Sequence, residues 1–295
     1  MPGIVRPYRC FDTVWSQGRF AVNTDPIPRD DSTGAAPSPE QVQGTFVIKA
    51  GGDTRPVRVA VPRAASPFGA TLPAMRSLVD ASVELASHAN ARQGTPISCK
   101  PDCCACCYYA PMLSPAEARH IDALVRQLPE PRRSRIVARF EQALARLRDT
   151  GLLQRYERGY VRADGVARAG YPGWHDDYLS LGIACPFLDD KRCSIYAERP
   201  LACRNYVVIS DPADCGRIGA LRAPVSIRPN VARAAGILGQ EPGATRSVML
   251  VAALEWASAR PAAAERMPGV QWLARLKAVL DAPEDTEPAS GESTR

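Results

Sequence analysis

The stretch CKPDCCACC, residues 99–107, places Cys99, Cys103, Cys104, Cys106 and Cys107 within nine positions. With Ser98 as a cap and Pro101 tolerated in the first turn, this segment predicts a short helix. At about 100° per residue, Cys99, Cys103, Cys106 and Cys107 then fall within an arc of roughly 100°, and Cys104 falls outside it. Four thiols on one face repel one another once ionised and are costly to desolvate, unless a cation neutralises them. A metal held by a closed thiolate site adds on the order of 10–16 kcal/mol of apparent folding energy. A disulfide adds typically about 2–4 kcal/mol. Metal is the stronger account of the cluster.

A second group follows in CPFLDDKRCSIYAERPLACRNY, residues 185–206, with Cys185, Cys193 and Cys203. Asp189-Asp190-Lys191-Arg192 reads as a solvated tight turn that brings Cys185 and Cys193 together. Pro200 suits the start of a short helix carrying Cys203 inward. Arg199 and Arg204 are candidates to offset thiolate charge or to donate hydrogen bonds to the sulfurs. Cys215 lies beyond and is a candidate eighth ligand; Cys104 is a weaker additional candidate because of its direction. Cys10 stands alone and is read as an incidental thiol.

These motifs resemble the YkgJ-type cysteine-cluster family of zinc- or iron-chelating domains. The family pattern is a cysteine group ending in a Cys-Cys pair, then Cys-Pro-Phe-Leu, Cys-Ser-Ile-Tyr and Arg-Pro-x-x-Cys-Arg. Here those elements are Cys99, Cys103, Cys106 and Cys107, then Cys185–Leu188, Cys193–Tyr196, and Arg199-Pro200 with Cys203-Arg204, over residues 98–215. The first group departs from the commonest spacing, since Lys100, Pro101 and Asp102 separate Cys99 from Cys103. The resemblance implies zinc or iron–sulfur binding. Flagellin lysine N-methylases are among the relatives, but nothing outside residues 98–215 matches them, so that activity is not carried over.

Working outward, the chain reads as mainly α with a small β-hairpin, an irregular helical domain organised around a cysteine-rich metal site. Phe46 and Ile48, a turn at Gly51-Gly52-Asp53, and Val57, Val59 and Val61 predict the hairpin. Apolar spacing predicts helices over 74–91, over the stripe Ile121, Leu124, Val125 and Leu128, and over Ile136–Leu147 before Gly151. The second of these opens on Ser114-Pro115-Ala116-Glu117, the signature of a capping box with proline at the first position. Further helices are expected over 248–256 and 270–280. The expected organisation is a flexible segment over 1–43, a hairpin region over 44–72, a cysteine-cluster domain over 73–215, a helical extension over 216–281 and a disordered tail over 282–295.

The 295 residues are 45% hydrophobic and 23% charged with a net charge of +6, which argues against disorder throughout. No signal-type h-region opens the chain, no stretch approaches the roughly 20 apolar residues of a membrane span, and the expectation is a cytoplasmic protein without a membrane partner. Nucleic acid is not an expected partner either, because Glu130, Glu141, Asp149 and Glu157 interleave with the arginines of 132–158 in the pattern of a solvated helix face. Phosphate-binding loops and deaminase signatures are absent. His175, ten residues before Cys185, is a weak candidate ligand or proton carrier. Three readings stay open: a metal-binding protein holding an iron–sulfur cluster or zinc, a cluster-dependent redox or methyl-transfer enzyme, and a metal-delivery or scaffold protein with a protein partner.

Overall fold

The structure is a computed structural model that describes residues 39–50, 52–100, 103–158, 162–163, 166–167, 173–241, 247–260 and 264–282. Most of the expected N-terminal segment, the expected tail beyond residue 282, Cys10, Pro101 and Asp102 lie outside the described residues.

Strands β1 (Gln41–Ala50) and β2 (Asp53–Pro62) form the expected hairpin, antiparallel with Phe46 opposite Val57 and Ala50 opposite Asp53. Gly52, at φ +87°, occupies the left-handed region that the tight turn requires. The period of two puts Phe46 and Ile48 of β1 and Val57, Val59 and Val61 of β2 on one face. That face packs on α1 (Leu72–Arg92), whose Met75, Leu78, Val79 and Ser82 are fully buried. The register begins at Gln41, so residues 41–43 are strand and not the linker expected there.

Helices α2 (Pro115–Gln127), α3 (Arg132–Asp149), α4 (Leu152–Arg158) and α5 (Trp174–Ser180) follow. The capping box at α2 is complete: the Ser114 side chain accepts from the Glu117 N–H, and the Glu117 carboxylate accepts from the Ser114 N–H. Next come α6 (Leu201–Asn205), α7 (Val231–Leu238), α8 (Ala253–Ser258) and α9 (Gly269–Asp281). The expected helix over 248–256 forms only from Ala253. Val248–Met249 pair with Met112–Leu113, and the Leu250 N–H bonds the Pro111 carbonyl, so tertiary partners take the backbone groups a helix would need.

Two layers result. The hairpin, α1, α7 and α9 share one apolar cluster, closed by Trp272, which meets Phe68 edge-on at 5.3 Å and donates to the Ser66 carbonyl at 3.0 Å. The C-terminal helix is therefore core. A Cβ at Gly269 would sit 2.5 Å from Val61 Cβ and 2.8 Å from the Pro62 carbonyl oxygen. Gly269→Ala should cost about 1–3 kcal/mol in denaturant unfolding, as overpacking does. The second layer packs α2, α3 and α8 around Ile121, Phe140 and Phe187, and Cys185 and Cys193 lie against it. Among the described residues no helix is long and apolar enough to cross a membrane.

Candidate metal centre

The described residues of 99–107 do not form the expected α-helix. Ser98 caps nothing; its N–H and hydroxyl both donate to the Val208 carbonyl, at 2.9 and 3.0 Å, and the hydroxyl also reaches the Ser210 carbonyl. This pins the segment to the 207–210 strand-like stretch. The turn then tightens through bonds from Cys103 N–H to Lys100, Cys107 N–H to Cys104 and Tyr109 N–H to Cys106, giving a 3-10 turn over Ala105–Tyr108. The shared helical face is thus replaced by a loop and a tight turn.

The second group behaves as its sequence implies. Leu188–Asp189 pair with Arg192–Cys193, with Asp190 and Lys191 both at positive φ, so the exposed turn sets Cys193 opposite Leu188, three residues after Cys185. Helix α6 begins after Pro200 and carries Cys203. Cys215 sits buried in a second 3-10 turn, Pro212–Gly216, packed on the Ala105–Tyr108 turn. The two groups meet through the backbone: the Cys185 N–H donates to the Cys107 carbonyl at 2.7 Å.

Cys99, Cys103, Cys106, Cys107, Cys185, Cys193, Cys203 and Cys215 are thiols outside any disulfide. Cys104 is 2% exposed and disulfide-bonded, which separates it from that set. Cys106 is the common neighbour. Its thiol is raised well above the ordinary range, first by its hydrogen bond to Cys107 and then by burial. Burial also raises Cys99, Cys185, Cys193 and Cys203, and pushes Cys215 up to about 12; in all five, Cys106 is close enough to add its charge. Among the described residues, no three Cys, His, Asp or Glu side chains already stand at the mutual spacing of metal ligands. The thiols are gathered but not drawn in.

Arginines surround them. Arg199 stacks on the Tyr196 ring at 4.3 Å and acts electrostatically on Cys99, Cys106, Cys193 and Cys203; its buried Nε has no hydrogen-bond partner among the described residues. Arg204 acts on Cys193 through its charge and spends its hydrogen bonds elsewhere. It is 6% exposed, pairs with Asp80 of α1 at 2.5 Å, and donates to the carbonyls of Tyr196, Ala197 and Arg199. It therefore fixes the loop that presents Arg199. Two arginines of α3 hold the other loop: Arg139 donates to the Pro186 and Leu188 carbonyls, at 3.3 and 3.0 Å, and Arg132 to Ser194 at 2.7 Å. The charge pattern of α3 disguised these clamps as a purely solvated face.

Aromatic and carboxylate side chains complete the surroundings of the thiols. Tyr178, 1% exposed, has an unpartnered hydroxyl close enough to Cys185 for their charges to interact. Tyr109 and Tyr206 pack against Cys99 and Cys103, with ring centroids 5.8 Å apart. Buried Glu117 reaches beyond its own cap to accept from the Leu201 N–H at 2.9 Å, anchoring the start of α6. His175 is exposed and its ring lies by Trp174 at 4.7 Å and Tyr109 at 6.1 Å.

An all-sulfur donor set fits zinc or iron in kind. Buried thiols that repel one another when ionised, next to a guanidinium with an unpartnered N–H, are a site whose charge a cation would complete. Residues 98–215 match the family model described as "CxxCxxCC: Putative zinc- or iron-chelating domain". No curated protein and no solved structure matches the chain. The matching span runs from Ser98, which ties the first cysteine loop to Val208, to the buried thiol of Cys215.

Proposed function

We propose that this chain is a metal-binding protein in which the two cysteine groups jointly hold zinc or an iron–sulfur cluster. The ligands are Cys99, Cys103, Cys106, Cys107, Cys185, Cys193 and Cys203, with Cys215 added by its position. The observation that carries this reading is the clustering of thiols from 99–107, 185–203 and 215 around Cys106, on loops held by arginine clamps. Holding the loops in place lowers the entropy lost when the sulfurs close on a metal. Arg199 would offset the charge of the thiolates and offer its Nε–H to one of them, a kind of outer contact whose loss typically costs about 10–100-fold in metal affinity.

Purification of the full chain without oxygen, followed by metal and sulfide analysis, tests the proposal. Bound zinc, or iron with inorganic sulfide, is expected at one or more equivalents per chain. Substoichiometric metal of every kind would overturn it. Arg199→Met should lower metal affinity about 10–100-fold while leaving the metal-free fold intact, read by competition with a chromophoric chelator. Retention of wild-type affinity would remove Arg199 from the account.

A further inference from the structure

Arg76 of α1 is 7% exposed, and His120 of α2 and Glu198 of the Tyr196–Glu198 turn face it. Arg76 donates through Nη1 to Glu198 Oε2 at 2.5 Å. The same Glu198 oxygen stands 2.8 Å from His120 Nε2, and Arg76 Nη2 stands 2.6 Å from that same ring nitrogen. The two contacts at Nε2 make opposite demands. Toward a guanidinium, which only donates, Nε2 must present its lone pair; toward a carboxylate, which only accepts, it must present a proton. One ring nitrogen offers one or the other, so the proton on the ring decides which contact is a hydrogen bond. The charged or titratable groups lining the cavity at this junction are Arg76, Glu117, His120 and Glu198. Glu117 is occupied by its Ser114 and Leu201 donors, while Arg204 of α6, paired with Asp80 of α1, adds a second positive charge at Arg76.

We propose that His120 is a proton switch in the Arg76–Glu198 ion pair. In the neutral ring the proton sits on Nδ1, Nε2 accepts from Arg76, and Arg76 alone holds Glu198. In the protonated ring Nε2 donates to Glu198, and the like charge drives the Arg76 guanidinium away. Glu198 is thereby handed from α1 to α2. Burial first, and then the Arg76 charge, hold the imidazolium below its ordinary range, while Glu198 opposes both, so the hand-over comes on acidification from neutral pH. Arg204 grips the Tyr196 and Ala197 carbonyls independently of the ring, so the change is felt at the Glu198 end of the turn, next to Arg199. The switch is independent of the metal-binding reading and adds a pH response to the turn that presents Arg199.

Nuclear magnetic resonance of the nitrogen-labelled full chain, titrated from about pH 8 to about pH 5, reads the switch directly, because ring-nitrogen shifts report which nitrogen carries the proton. The His120 signals are assigned by their absence from the His120→Gln chain. At the upper end Nδ1 should be protonated and Nε2 bare; Nε2 should gain its proton with a midpoint below about 6.5. Below that midpoint the Arg76 guanidinium protons should exchange faster with water. Arg76→Met removes both the donor and the like charge, so the neutral ring should now carry its proton on Nε2, and the midpoint should rise by about one unit or more. Glu198→Gln should keep the proton on Nδ1 and lower the midpoint. A purely structural contact would change stability in these variants without exchanging the tautomer. A neutral wild-type ring protonated at Nε2, or a midpoint that Glu198→Gln does not lower, overturns the proposal even if Arg76→Met fails to fold. Arg76 protons that stay protected through the midpoint overturn the hand-over.

Discussion

Cys203→Ser is expected to weaken metal binding by more than about 100-fold, the upper end of what loss of a mere outer contact does. Cys203 is carried by α6, which also contributes Leu201 to the core shared by the hairpin and α1. Loss of the metal there should therefore be felt as loss of fold. A ligand present at about 100 times its dissociation constant stabilises the folded chain by about 2.7 kcal/mol, and a 100-fold weaker site forfeits nearly all of that. The substitution should lower metal content in direct analysis and lower the unfolding midpoint only in metal-replete buffer. Full metal content in the Cys203→Ser chain would show that the second cysteine group is not part of the site.

Glu117→Gln is the second large effect, and it acts without touching a sulfur. The carboxylate accepts from three donors, the Ser114 N–H and hydroxyl and the Leu201 N–H, in a fully packed setting. An amide has a single acceptor oxygen and would turn its NH2 toward one set of donors. Losing the cap costs about 1 kcal/mol, and each stranded buried donor about 1–3 kcal/mol, so about 2–4 kcal/mol of stability should disappear in urea unfolding. The pH dependence carries a further signature. Burial raises the Glu117 carboxyl above the usual range, so its contribution is fullest below an unfolded value of about 4.3 and declines as pH rises through the raised one. The stability gap between wild type and Glu117→Gln should accordingly narrow as pH rises through that window. An unchanged gap would mean that the carboxyl is not held as described.

The helices were legible where local chemistry and tertiary packing agree. Ser114-Pro115-Ala116-Glu117 specifies its own cap, and the structure builds it atom for atom. The hairpin followed from period-two alternation and a glycine turn. Cysteine residues 99–107 were misread as a helix because the signal for a cap, a serine before a proline-bearing turn, is local. Ser98 instead finds Val208 and Ser210, more than a hundred positions away, and no periodicity announces such a partner. The same limit hid Arg132 and Arg139, whose spacing fixes a face of α3 but not what lies opposite it. Arg204 was placed near the site by its position after Cys203; it adds its charge at Cys193, and its hydrogen bonds go to Asp80 and backbone carbonyls that the sequence did not announce. The two cysteine groups were readable from residue type and spacing, whereas what surrounds them depends on contacts that only the folded chain supplies.

Thiol protection by metal, mapped residue by residue, tests the central claim most directly. The full chain, purified without oxygen, is alkylated with and without prior chelator treatment, and modified cysteines are identified by mass spectrometry. The account predicts that Cys99, Cys103, Cys106, Cys107, Cys185, Cys193, Cys203 and Cys215 are shielded while metal is bound and become reactive together once it is stripped. Shielding confined to the 99–107 group, with Cys185, Cys193 and Cys203 indifferent to the chelator, would contradict it.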